Sequence, residues 1–241
     1  GENRRSRAPQ RLVDTIRKAI IHQDADVIVV NKPAGVATHG GSGVDFGVIE
    51  SLRAYWADAH PNETLELAHR LDRETSGCLL IARRRSRLRE LHELLREGQM
   101  EKKYLPLVAG RWAQGKVTVD APLATRQKQG GERVVKVRGD GKDAVSIFKP
   151  LQHFGKRATL MEVELKTGRT HQIRVHAAHA GHPVAGDEKY GDKTFNEQMK
   201  KLGLNRMFLH SQLLSFTWPN GKDFSVSAAL DDELKAFLNR L

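Results

Sequence analysis

Short apolar runs and helically spaced apolar residues alternate along the first hundred residues. VIVVN (27–31) and CLLIA (78–82) are continuous apolar runs, which predict short buried strands. FGVIESLRAYWADAH (46–60) places apolar residues at 48, 49, 52, 55 and 56, which form one face of a helix. SRLRELHELLREG (86–98) repeats this spacing at 88, 91, 94 and 95, with Ser86 as a candidate N-cap. Helices and strands are therefore interleaved from the start.

The second half of the chain is dominated by strand patterns. Polar turns, most of which contain glycine, separate the predicted strands at 103–110, 116–123, 132–137, 144–151 and 158–165. Two further strands are predicted at 209–218 and 223–230. HQIRVHAAHAG (171–181) predicts a helix that ends at its glycine, and DDELKAFLNRL (231–241) predicts a closing helix with acidic residues at its positive end. Consecutive strands with irregularly placed helices indicate an α+β fold with a mostly antiparallel sheet.

The first residues differ in character from the rest. GENRRSRAPQR is basic, polar and poor in apolar residues, so we predict a basic N-terminal arm or linker over residues 1–20. The remaining residues, 21–241, are predicted to form one domain, since no repeat or low-complexity linker interrupts them.

Charge and cysteine content narrow the class of protein. The 241 residues carry a net charge of +11, and residues 61–180 hold 24 Lys and Arg against 14 Asp and Glu. A local surplus of this kind is typical of surfaces that bind a phosphate backbone. One cysteine, Cys78, cannot form an intrachain disulfide, and no apolar stretch approaches the length of a membrane span. We expect a cytoplasmic protein without a membrane partner.

Candidate chemistry concentrates in HRLDRETSG (69–77). Asp72 lies between Arg70 and Arg73, and an adjacent guanidinium favours the ionised form of a carboxylate. An ionised carboxylate can act as a nucleophile, while the arginines can hold a phosphate or a base. From spacing alone, a salt bridge within a loop explains the same residues.

HRLDRETSG also resembles the catalytic signature of the pseudouridine synthases of the large-subunit ribosomal RNA type. Four further segments match the same family in the same order: NKPAG (31–35), KTGRTHQIRVH (166–176), GHPVAGDEKYG (181–191) and RMFLHS (206–211). The stretch HGGSGVDFGVIE (39–50) is most similar to the bacterial synthase C branch, which modifies 23S ribosomal RNA. The chain is thereby identified as a member of this RNA-modifying family.

The resemblance implies a fold and a set of catalytic residues. It implies a central mixed, mostly antiparallel sheet with flanking helices and a catalytic cleft, and a chain that is the catalytic domain of a longer protein. Asp72 would be the nucleophile, Tyr104 would stack on the uracil and take part in proton transfer, and Arg174 would pair with the aspartate. Leu209 would line the uracil pocket. Because every uridine atom stays in the product, we expect no cofactor, metal or nucleotide.

Other basic residues are candidates for binding the RNA. The target uridine must leave its stack, and Arg70 matches the family position that would fill the vacancy. Arg73, RRRSR (83–87), Lys102 and Lys103 are candidate backbone contacts, although charge runs are often only solvated.

Two other functions remain open at this point. A non-catalytic RNA-binding protein of ribosome assembly would keep the basic surface without needing Asp72, Tyr104 and Arg174 together, and a related synthase could act on transfer RNA. A zinc site at His176, His179 and His182 lacks any supporting motif. We expect a monomer, since no association surface is evident.

Overall fold

The computed structural model describes residues 7–41, 43–127 and 132–241, which form two compact units, 1–93 and 94–241. The first unit contains α1 (Gln10–Lys18), β1 (Ile20–Gln23), β2 (Val27–Lys32), α2 (Val48–Trp56), β3 (Glu66–Leu67) and β4 (Ser76–Ala82). Helix α3 (Arg85–Arg96) runs across the boundary along the chain. Within this unit β2 pairs antiparallel with both β1 and β4, and the short β3 pairs antiparallel with β4.

The second unit contains most of the strands. Its elements are β5 (Glu101–Ala109), β6 (Val117–Asp120), β7 (Leu123–Gln127), β8 (Arg133–Val137), β9 (Val145–Phe154), β10 (Ala158–Leu165), α4 (Gln172–His179), α5 (Lys193–Lys201), β11 (Leu209–Thr217), β12 (Asp223–Ser227) and α6 (Asp232–Leu238). Antiparallel pairs join them in the order β12, β11, β5, β10, β9 and β6. The α+β class and the mostly antiparallel sheet are confirmed.

The hydrophobic core of the second unit lies under helices α5 and α6. Apolar residues of β5, β10 and both helices form one buried cluster that includes Leu107, Leu160, Phe195 and Phe237. An N-cap aspartate precedes each helix, and its carboxylate accepts a hydrogen bond from a backbone N–H three residues on, Asp192 from Phe195 and Asp231 from Leu234. These helices therefore cover one face of the sheet and hold β5 in place.

Three sequence expectations need correction. Residues 10–18 form helix α1, in which Val13 and Ile16 are buried, so this part of the expected arm is folded. Residues 1–6 lie outside the described residues. The rest of the domain division stays a prediction. The strand expected over 116–123 is interrupted at Pro122, and Leu123 begins β7, which pairs with β8 as a separate hairpin. Ser86 lies inside α3, which begins at Arg85.

Candidate active site

Asp72 lies in the loop that leads into β4. Its side chain is half-buried, and its backbone carbonyl accepts a hydrogen bond from the N–H of Thr75 at 3.0 Å, which closes a turn. Strand β4 follows at once and is buried over its whole length. The turn therefore fixes the backbone of Asp72 just before a buried strand, while the residue stays partly accessible.

Lys32 anchors this loop from within the same unit. Its side chain is fully buried, and its ammonium donates hydrogen bonds to the carbonyl oxygens of Pro33 at 3.0 Å, Val36 at 2.7 Å and Arg73 at 2.8 Å. The Arg73 carbonyl also accepts the N–H of Gly35 at 2.9 Å. NKPAG and HRLDRETSG are thus tied together beside Asp72, a role of Lys32 that sequence reasoning did not identify.

We predict that Lys32→Met destabilises the first unit and slows catalysis. The substitution removes the buried ammonium that donates to three backbone carbonyl oxygens, so the free energy of unfolding should fall by at least about 2 kcal/mol. The RNA conversion rate should also fall, because the carbonyl of Arg73, the neighbour of Asp72, loses its anchor. Urea unfolding and a conversion assay measure both effects beside Lys18→Met, which removes an exposed lysine of the same unit. Equal behaviour of the two variants would contradict the anchoring role.

The arginines flanking Asp72 differ in their surroundings. Arg70 and Arg73 are both exposed, and Arg73 donates from Nε to the Gly35 carbonyl at 2.9 Å. Arg73 therefore supports the loop through both its side chain and its backbone. The substrate contacts expected of Arg70 and Arg73 stay predictions.

Most arginines of the run RRRSR form ion pairs with carboxylates of the first unit. Arg83 donates to the carboxylate of Glu63, which lowers the pKa of that carboxyl. Arg84 and Arg87 both donate to Asp26. These ion pairs explain the arginines without RNA, so the run is a weaker candidate for phosphate binding than its sequence indicates.

Tyr104 and Leu209 lie in the second unit, on neighbouring strands. Tyr104 in β5 is buried and stands opposite Ser211 of β11, while the buried Leu209 of β11 stands opposite Pro106 of β5. Directly opposed residues share a face of the sheet, and so do residues two apart along a strand. The structure therefore brings Tyr104 and Leu209 to one face, as a shared uracil pocket requires.

Arg174, on α4, is held by a buried carboxylate. Its Nε donates to Oδ2 of Asp187 at 2.9 Å and its terminal nitrogen to Oδ1 at 2.8 Å. Asp187 is only 1% exposed and also accepts backbone N–H bonds from Lys189 and Tyr190. Asp72, the partner expected for Arg174, belongs to the other unit, and that pairing stays a prediction. Sequence reasoning missed Asp187, although it lies in the matched segment GHPVAGDEKYG.

Tyr190 completes the surroundings of Arg174. The guanidinium carbon of Arg174 lies 5.0 Å from the centre of the Tyr190 ring, a cation–π distance. The Tyr190 hydroxyl accepts the N–H of Val135 at 3.0 Å and lies 2.7 Å from Nδ1 of His171. His171 precedes α4 with a φ of 55°, a left-handed conformation. The guanidinium is thus fixed by a carboxylate on its edge and a ring on its face.

Two of the three histidines considered as zinc ligands, His176 and His182, have other partners. His176 is buried between the Ser146 hydroxyl at 2.8 Å and the Ala121 carbonyl at 2.9 Å, and burial lowers the pKa of its imidazole. His182 lies 2.7 Å from the carbonyl oxygen of Ala109. Across residues 7–41, 43–127 and 132–241, no group of three or more His, Cys, Asp or Glu side chains is arranged to hold a metal ion. Nor does any described helix have the length and apolar character needed to cross a membrane.

The stretch 39–50, which suggested the synthase C branch, folds around Glu50. Its carboxylate accepts the N–H groups of Gly40 at 2.8 Å and Gly47 at 2.7 Å. A side chain at Gly47 would lie 2.6 Å from the Ala37 carbonyl oxygen, so only glycine fits there. Ser42 of this stretch lies outside the described residues.

Comparison with known proteins identifies the family of this chain. The family model for RNA pseudouridylate synthase matches residues 26–179. The chain is 49% identical over 230 residues to "Ribosomal large subunit pseudouridine synthase C" of Pasteurella multocida (strain Pm70), which covers 95% of this chain and 69% of that protein. It is 48% identical over 232 residues to the protein of the same name from Escherichia coli (strain K12), at 95% and 72% coverage.

Solved structures of related human proteins share the fold. Human RNA Pseudouridylate Synthase Domain Containing 4 aligns over 95% of both chains with a TM-score of 0.79 and 27% identity. Human RNA Pseudouridylate Synthase Domain Containing 1 aligns over 88% of this chain and 83% of its own, with a TM-score of 0.72 and 25% identity. Sequence and fold together confirm the resemblance, including its synthase C branch: the chain belongs to the RNA pseudouridylate synthase family and is an RNA pseudouridine synthase, an isomerase.

Proposed function

We propose that this enzyme converts specific uridines of large-subunit (23S) ribosomal RNA to pseudouridine. The observation that carries the proposal is the 49% identity, over 95% of the chain, to a protein named for that activity on the ribosomal large subunit. The concentration of basic residues in 61–180 supports a large, phosphate-rich substrate. This excess of positive charge would also attract RNA to the enzyme and speed their association.

Asp72 is the proposed nucleophile. The reaction breaks the N1–C1′ bond of uridine, turns the uracil, and joins C5 to C1′. A carboxylate can trap or stabilise the electron-deficient C1′. The backbone turn at Asp72 and the partial exposure of the residue support this role, because the position of the residue is fixed and a substrate can still reach it.

Three residues of the second unit are proposed to assist the reaction, two at the base and one at the carboxylate. Tyr104 stacks on the uracil and takes part in the loss of the C5 proton, and Leu209 lines the pocket. Their position on one face of the sheet supports this division of roles. Arg174 orients the Asp72 carboxylate, and its clamp by Asp187 supports such a role because a fixed guanidinium presents donors in one direction.

Base flipping is proposed to depend on Arg70. Its exposed side chain, two residues before Asp72, would fill the vacancy that the uridine leaves in its stack. Arg70→Ala should therefore lower the conversion rate at least about tenfold more on a structured RNA than on an unstructured oligonucleotide with the same target, because flipping costs a few kcal/mol only where the base is stacked.

Single-turnover rates on the two RNAs measure this difference. Arg89→Ala removes an exposed arginine of α3 and provides the matched control. Equal losses on both RNAs would remove Arg70 from the flipping role.

The choice of RNA is tested by competition between substrates. Large-subunit RNA and transfer RNA, each labelled with tritium at uridine C5, release tritium as the C5 proton is lost. Release from large-subunit RNA alone supports the proposal, whereas release from transfer RNA alone would replace it with a transfer-RNA synthase. Tight binding to large-subunit RNA without release from either would favour a role in ribosome assembly.

A further inference from the structure

Lys102 is a buried cation without a counter-charge. It lies in β5 and is 8% exposed, and its ammonium forms no hydrogen bond or ion pair with any side chain or carbonyl oxygen in the described part of the chain. Burial alone lowers the pKa of its ammonium to about 8, so the group is still mainly protonated at neutral pH.

Its neighbour Lys103 shows the contrast. The ammonium of Lys103 lies 3.2 Å from Glu101 and 3.6 Å from Glu162, and the hydrogen bond with Glu101 raises its pKa. Strands β5 and β10 thus supply one carboxylate each to Lys103 and none to Lys102. A buried ammonium without an anion is unfavourable, because the lost hydration is not replaced. The anion that would compensate Lys102 is therefore expected to come from a bound molecule.

The side chain of Lys102 shares a face of the sheet with Tyr104. Residues two apart on a strand point to the same face, and β5 keeps a regular register with β10 through this region, with Tyr104 opposite Val163. The ammonium lies against Gly168, where an added side-chain carbon would be 3.0 Å from Nζ. Gly168 belongs to the connection between β10 and the helix that carries Arg174. The charge is therefore placed beside the proposed uracil-stacking residue.

We propose that Lys102 is a further catalytic residue, whose ammonium stabilises the negative charge that the uracil acquires when its N1–C1′ bond breaks. This inference rests on the proposed function. The electron pair of the broken bond goes to N1 and spreads to O2 and O4, while the Asp72 carboxylate takes up the electron deficiency at C1′. C5 then bonds to C1′, the carboxylate is released, the C5 proton leaves and N1 gains a proton. Lys102 donates a hydrogen bond throughout and keeps its own protons.

The burial of Lys102 favours the uracil over a backbone phosphate. Phosphates lie on the outside of RNA and are usually met by exposed lysines and arginines, whereas nine-tenths of this side chain is removed from water. A preorganised donor in a dry site also stabilises developing charge more strongly than a solvated one. Lys102 is thus suited to stabilise the negative charge that the uracil carries only during the reaction.

Lys102→Met tests the proposal, because methionine keeps the apolar stem and removes the charge. The single-turnover conversion rate on large-subunit RNA should fall at least about 100-fold, as for loss of one donor to a developing anion. The dissociation constant of the RNA should stay within about twofold, and the melting temperature should not fall, because an unpaired buried charge is removed. Lys149→Met, at an exposed lysine of β9, should leave the rate nearly unchanged.

Gly168→Ala provides a second variant. The φ of Gly168 lies outside the left-handed region, so alanine does not strain the backbone, and the added carbon displaces only the ammonium. We expect about a threefold or greater loss of rate in the native background and no further loss in the Lys102→Met background, since methionine lacks Nζ.

Two results would overturn the inference. Weaker RNA binding with a flatter salt dependence and an unchanged bound-state rate would make Lys102 a phosphate contact. An unchanged rate, or a lowered melting temperature without a change in rate, would leave Lys102 a structural residue. If the native enzyme itself produced no pseudouridine, the proposed function would be rejected. If the native enzyme is active and Lys102→Met keeps the native rate, only the catalytic role of Lys102 would be rejected.

Discussion

Asp72→Asn should abolish the conversion of uridine while RNA binding is retained. Asparagine keeps the size of the side chain and its place in the turn closed by Thr75, but the neutral amide is a poor nucleophile toward C1′. Tritium release from RNA labelled at uridine C5 should fall at least about 10⁴-fold, which approaches the uncatalysed background. Fluorescence anisotropy should show an RNA affinity within a few-fold of the native value, because Asp72 contributes no attraction to phosphate.

The exposed Glu74, two residues away, supplies the matched comparison. Glu74→Gln makes the same chemical change in the same loop, and we expect most of the activity to remain. Conversion retained by Asp72→Asn would remove Asp72 from the role of nucleophile. Loss of RNA binding would instead show that the substitution disturbs the loop.

Asp187→Asn should be the second most damaging change, although no sequence motif singles out its chemistry. The amide cannot accept both nitrogens of Arg174 and the backbone N–H groups of Lys189 and Tyr190. Breaking a buried ion pair of this kind costs about 3–5 kcal/mol of stability. The released guanidinium should also slow conversion about 100-fold, since Arg174 would no longer be held in one orientation.

Thermal unfolding and single-turnover kinetics measure the two effects. Glu188→Gln changes the adjacent, exposed carboxylate and should leave both properties near the native values. A stable Asp187→Asn variant with native kinetics would show that Arg174 needs no clamp for catalysis.

The sequence predicted the elements whose apolar pattern is dense and missed those whose pattern is sparse. Strand β2 and strand β10 are continuous apolar or alternating segments, so their periodicity is unambiguous. Helix α5 buries only Phe195 and Met199 among polar residues, and two apolar positions do not define a helical face. Helix α1 was missed for the same reason, since Val13 and Ile16 are its only buried residues.

The candidate site shows a similar division. Matched motifs predicted which residues react, but not the partners that hold them. Lys32 donates to backbone carbonyl oxygens, and because every residue has one, the sequence cannot show which of them Lys32 contacts. Arg174 and Asp187 are 13 positions apart, so neither helical nor strand spacing relates them. The sequence shows Lys102 and Lys103 only as two adjacent lysines. Their different surroundings follow from burial and from the positions of Glu101 and Glu162, which the structure shows.

Carbodiimide-stop mapping of pseudouridine in large-subunit RNA tests the central claim most directly. Unmodified RNA is incubated with the native enzyme or with Asp72→Asn, in the presence of EDTA and without any nucleotide. We predict stops at a small number of uridines with the native enzyme and none of these with Asp72→Asn. The same stops with both proteins, or none with the native enzyme despite tight binding, would contradict an aspartate-dependent synthase of ribosomal RNA.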